Sequence, residues 1–197
     1  MLSLKWGIRE ARIWLDTLPD WYYQGTEIIE QQIESTRSDQ LLHRSSAVEL
    51  FIPIGGRFYD GALAVTFVPA TAGPLVIQIP VLESEVVLQD ALPGKLLDTL
   101  FIGIPRRYAE GIFEGILKTP IAQVLGSGTI SVSGAAHGVI GSSPWMFHVL
   151  TRIAVHLLTL DMKDVSDQRL IEIIGEGLRQ ANKFMSDSRN QKNSLPA

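Results

Sequence analysis

Four runs rich in branched residues, 48–54, 63–68, 75–79 and 81–88, follow one another between Ala47 and Leu88. Gly55-Gly56, Asp60-Gly61, Thr71 to Pro74 and Pro80 punctuate them. That is the spacing of short strands joined by turns, and it reads as an antiparallel meander. A sheet with one apolar face must be covered, and the rest of the chain offers helices to do it. Pro105 suits the first turn of a helix reaching about Lys118, in which Gly111 and Gly115 fall four apart on one side and allow close packing on the sheet. Thr129 to Ser133 alternates as a short strand, and a loop of Gly, Ala and Ser follows it. Ser143 then caps a helix that opens on Pro144 and carries an apolar face from Trp145 to Leu160.

The flanks read as helical. Ile8, Ala11, Ile13, Trp14, Leu15 and Leu18 recur at helical spacing before Pro19, and Thr26 to Ser35 gives a second helix with Ile28, Ile29 and Ile33 on its apolar side. Trp21, Tyr22 and Tyr23 between them are expected to pin these helices onto the core. Asp164 to Met185 is a last amphipathic helix, and Ser186 to Ala197 is an unstructured tail. The expected organisation is a helical extension over 1–44, an α/β core over 45–160, a docked helix over 161–187 and a mobile tail over 188–197. The fold class is an α/β (α+β) two-layer sandwich, a mostly antiparallel sheet backed by two helices.

Composition narrows the function. Hydrophobic residues make up 46% of the 197 and charged residues 19%, enough apolar material for one core. The formal net charge of -4 gives no overall field for nucleic acid, so any such contact needs a local patch. The absence of cysteine excludes disulfides, thiolate metal sites and a cysteine nucleophile, and it fits a reducing compartment. Lys5, Arg9, Glu10 and Arg12 interrupt the apolar residues at the N-terminus, so no secretion signal is expected there. No apolar stretch is long enough for a membrane span, and the cytoplasm is the expected location.

The segment from Ser133 to Pro144 is the most informative for chemistry. Its small residues let backbone approach a ligand, and it ends at a helix N-terminus, where free amides and the hydroxyls of Ser142 and Ser143 suit phosphate or carboxylate. His137, Gly138, Gly141, Ser142 and Ser143 are therefore candidate ligand or partner residues, although such loops also occur simply because they turn and cap. An exposed His137 imidazole would serve as acid, base or stacking surface. Arg106 and Arg107, flanked by Lys95 and Lys118, are a candidate basic contact for a phosphate backbone, with a solvated helix end as the plain alternative. His148, Arg152 and His156 make one helical stripe, read as a polar face. No HExxH spacing, GxSxG context or Walker loop is present, so no catalytic residue, metal or cofactor is expected.

Ile104-Pro105-Arg106-Arg107-Tyr108, continuing through Ile112 to Gly115-Ile116, resembles the I-P-x-x-Y-x(3)-[VI]-x(2)-G-[IV] helix of the fourth domain of elongation factor G, the ribosomal translocase. His137-Gly138-Val139-Ile140-Gly141-Ser142-Ser143 with Met146-Phe147 is similar to that domain's H-x-V-D-S-S-x-x-A-F, with one residue inserted and the aspartate replaced. The resemblance covers roughly Val48 to Leu160. It implies a ribosomal-protein-S5-domain-2-like fold and a protruding loop near His137, and it carries over no nucleotide hydrolysis. The same loop is also similar to the G-L-G-S-S phosphate loop of galactokinase and homoserine kinase type enzymes, which share that superfold. Two functions follow as expectations. The first is a non-enzymatic binding or scaffold module that presents the 134–143 loop to a macromolecule, RNA or ribosome-related by analogy. The second is a phosphate-ligand enzyme or sensor that uses the same loop. The crowding of Trp6, Trp14, Trp21, Tyr22 and Tyr23 adds an expectation of self-association through the terminal helices.

Overall fold

The computed structural model describes residues 1–34, 42–92, 97–119 and 125–192, with 182–192 described as backbone. Its strands are β1 (Leu2–Trp6), β2 (Arg9–Leu15), β3 (Glu27–Ile33), β4 (Arg44–Ile54), β5 (Arg57–Pro69), β6 (Leu75–Val81), β7 (Leu100–Ile102) and β8 (Gly128–Gly138). Its helices are α1 (Ala109–Leu117), α2 (Pro144–Leu158) and α3 (Asp167–Lys192). The fold is α/β. One open sheet runs β1-β2-β4-β5-β8-β6-β3, with β7 paired to β8 off that path. All pairings are antiparallel except β6 with β8, which are parallel because α1 carries the chain across between them.

Alternation along the strands divides the sheet into two faces. Val48, Leu50 and Ile52 of β4 and Leu63, Val65 and Phe67 of β5 are buried in the main core with α1, α2 and α3. Ala47, Ala62, Ala64 and Ala136 point the other way, under Trp21, Leu88 and Leu100. The second face is thus lined by small residues and covered by loop chain and one buried indole. Trp14 meets Trp21 edge to face there, with ring centroids 5.9 Å apart. α2 lies against β4 and β5 and between α1 and α3, so almost its whole circumference is buried. Among the described residues no helix is long and apolar enough to cross a membrane.

Several expectations change. The segment 8–18 is not a helix: most of it is β2, which forms a hairpin with β1 across Gly7-Ile8. Gly7 has φ 63°, the conformation a two-residue hairpin loop needs at its first position. Ala11 and Ile13 are buried, whereas Ile8 and Leu18, which a helix would have turned inward, are exposed. Thr26 to Ser35 is not a helix either: β3 pairs with β6 from Glu27↔Val81 to Ile33↔Leu75, and Thr26 bonds Val81 O instead of capping. Apolar residues in both segments satisfy two periods, and an open sheet edge chose the strand. The extension over 1–44 is therefore not helical where it is described.

The meander also breaks: β8, far downstream, inserts between β5 and β6. Beyond Val81 the fourth run is not a sheet strand: it bonds the β7 segment around Val87 and Phe101 and packs Leu88 on the second face. Asp60-Gly61 is not a turn but lies inside β5, and Gly55-Gly56, with φ 57° and 78°, makes the β4–β5 hairpin alone. Gly111 and Gly115 pack on α2 rather than on the sheet. A Cβ on Gly111 would meet Pro144 O, and one on Gly115 would meet the Thr151 side chain. The His148, Arg152 and His156 stripe is not a solvated face, since His148 and Arg152 are buried. Residues 186–192 continue α3, and 193–197 lie outside the described residues. Of the five crowded aromatics only Tyr22 is exposed: Trp21 is buried, Trp6, Trp14 and Tyr23 pack on the two clusters, and Tyr23 Oη donates to Pro80 O at 2.7 Å.

Candidate functional site

The stretch read as a loop from Gly134 is mostly strand. β8 continues to Gly138 because β5 borders it on one side and β7 on the other, so the small residues sit in the sheet and only Val139 to Ser143 turns. His137 is accordingly a buried strand residue and not a protruding one. Its Nδ1 lies 3.0 Å from Gly103 O. A carbonyl only accepts, so Nδ1 carries the proton in this contact. The ring stands between Tyr108 and Phe101, with centroids 5.9 and 6.1 Å away. Burial lowers its pKa, so the imidazole is neutral at neutral pH.

The turn itself is built around a carboxylate. Asp98 Oδ1 accepts from Thr99 N at 2.8 Å and Val139 N at 3.0 Å, and Oδ2 accepts from Ile140 N at 2.8 Å and Gly141 N at 2.7 Å. The three successive amides that an external anion would use are therefore already bonded to an internal one. Ser142 Oγ accepts from Gly138 N at 2.8 Å and donates to Asp60 O at 2.7 Å, tying the turn to β5. Ser143 caps α2 as expected, with its Oγ accepting from Met146 N at 3.2 Å.

Asp60 lies beneath the same turn. It is 2% exposed, and neither carboxyl oxygen receives a hydrogen bond. Its backbone N–H bonds Gly141 O at 3.2 Å, which fixes the side chain under the turn. A Cβ on Gly138 would sit 2.3 Å from Asp98 Oδ2 and 2.4 Å from Asp60 Oδ1, so glycine is the residue that lets both carboxyls close in. A Cβ on Gly141 would stand 2.3 Å from Asp60 Oδ1. The Asp60 pKa is pushed up to about 7, first by burial, then by the neighbouring Asp98 carboxyl, then by the charge of Glu49. Asp98 already accepts four N–H donors and Asp60 accepts none, so Asp60 is the one of the two that burial disposes to hold a proton.

The expected residues thus divide. Gly138, Gly141 and Ser142 do come together, but around Asp98 and Asp60, which the sequence reading passed over. The signal was present as an aspartate in alternation with Tyr59 and Ala62-Leu63, obscured because Asp-Gly reads as a turn. Arg106 pairs with Glu27, while Arg107 lies 3.6 Å from Glu83 and 4.7 Å from the Tyr108 ring centroid. The basic pair is therefore engaged within the chain; Lys95 lies outside the described residues. No group of three or more His, Cys, Asp or Glu among the described residues is placed to hold a metal ion. The exposed part of the site is its apolar tip, Val139 at 66% and Ile140 at 69% exposure. No family model, curated protein or solved structure matches this chain.

Proposed function

We propose that this chain is a non-enzymatic binding module that presents the Val139–Ser143 turn to a macromolecular partner from an S5-domain-2-like core. Two adjacent apolar side chains stand exposed on a turn whose three amides are bonded to one buried carboxylate, and this observation carries the reading. An apolar tip held this firmly loses little entropy on docking, which favours contact over solvent display. Bonding of the same amides to Asp98 leaves them unavailable to a phosphate and favours the macromolecular reading over the phosphate-ligand one. The succession β4-β5-β6-β7-α1-β8-α2, with both helices on one face and β7 a short addition to the edge of β8, supports the S5-like assignment. In it Pro105 to Tyr108 leads into α1 and the His137 segment leads into α2, as the translocase resemblance requires.

A photo-crosslinking residue placed at Ile140, with one at exposed Met162 as control, tests this in cells. The expected result is an adduct from position 140 and none from 162. Loss of the adduct on nuclease treatment identifies RNA, and its persistence identifies a protein. Equal yields from the two positions would rule the reading out.

A further inference from the structure

The Asp60–Asp98 pair is more than packing, because its two members are satisfied so unequally. Asp98 takes four backbone donors, three of them from the turn, and Asp60 takes none while lying fully beneath the same backbone. Facing Asp60 are Asp98 from the segment before β7 and Glu49 from β4, both acidic; the turn adds only backbone and the Ser142 hydroxyl. His137, the nearest titratable group on β8, is turned to Tyr108 and Gly103 O and is neutral. Among the described residues no cation is in hydrogen-bonding contact with Asp60, so a negative charge there meets only negative neighbours.

We propose that Asp60 and Asp98 form a proton-operated latch on the 138–142 turn, closed while one proton lies between the two carboxyls and released when that proton leaves. As regulation of a contact surface the latch rests on the binding reading above; as a physical device it stands on the geometry alone. In the closed turn Asp60 holds its proton up to about pH 7, whereas in the open turn, exposed to water, it returns to the ordinary aspartate range near pH ~4. Closed turns therefore bind the extra proton between these limits. Closure is strongest below about pH 4, is lost as pH rises towards 7, and levels off above.

Amide hydrogen exchange of Val139, Ile140 and Gly141, measured by NMR from pH 4.5 to 8.5 and corrected for intrinsic rates, reads the latch without any partner. Protection should fall by up to about tenfold per pH unit below pH 7 and flatten above it, with the turn exchanging far faster than Leu63 and Val65 in β5 throughout. Asp60→Asn keeps a donor towards Asp98 and cannot ionise, so its profile should be flat. A flat wild-type profile, or a slope that survives in Asp60→Asn, would overturn the latch. Should the variant not fold, a carbon-13 titration of the Asp60 carboxyl in the wild-type chain decides. A midpoint near 7 supports the latch and one below 5 sinks it. Crosslinking at Ile140 fails or succeeds independently of this profile, so the two ideas are separable.

Discussion

The second face of the sheet buries two acids on neighbouring strands, and they are treated in opposite ways. Glu49 on β4 accepts Leu92 N at 2.6 Å and lies 3.4 Å from Arg12, which also holds the carbonyl and carboxylate of Asp90. Asp60 on β5 has no donor and faces Asp98. Burial raises both pKa values, but donors oppose the rise at Glu49 and a second carboxyl adds to it at Asp60. Around Glu49 the Leu92 amide and Arg12 hold the carboxyl in place and offset most of what burial costs its charge, so its protonation state matters little to the segment that covers this face. Around Asp60 the neutral acid does the fastening, so gaining a charge loosens it. Burial alone does not decide whether an acid stabilises a fold; the donors around it do.

The largest expected effect comes from removing the acceptor that organises the turn. Asp98→Ala deprives four amides, one buried and three part-buried, of their acceptor and should lower unfolding stability by about 2–4 kcal/mol in urea titrations at pH 6. A loss under about 1 kcal/mol would mean that water replaces the carboxylate and that the turn is not held from within. The comparison itself is sharpened by the neutral isosteres at pH 8. Glu49→Gln keeps the acceptor for Leu92 N and should change stability by less than about 1 kcal/mol, whereas Asp60→Asn should stabilise by about 1–4 kcal/mol, an advantage that shrinks as pH falls towards 4. Changes of equal size at pH 8 would break the contrast. The smallest effect tests the join between turn and helix. Ser143→Ala removes the α2 cap and should lower the melting temperature by the equivalent of about 1 kcal/mol at any pH between 5 and 8.

Local chemistry decided the features that need no distant partner. Ser143-Pro144 starts α2 and Pro105 leads into α1, because a cap and a fixed φ act within a few residues. The branched runs of β4, β5 and β6 were legible because strand sterics act residue by residue. Gly55-Gly56 determined its own hairpin in the same way. Tertiary structure decided whatever depended on a vacant sheet edge or a distant backbone. β2 and β3 contain apolar residues compatible with either period, and hydrogen bonding to β4 and β6 settled them as strands. β8 ran on through Gly134 to Gly138 because β5 and β7 supply bonding on both sides. Asp60 and Asp98, 38 residues apart, meet only when the end of β8 brings the turn over both. A carboxyl's partners, unlike a residue's propensity, belong to the packed chain, since Coulomb and desolvation energies depend on where the neighbours finally stand.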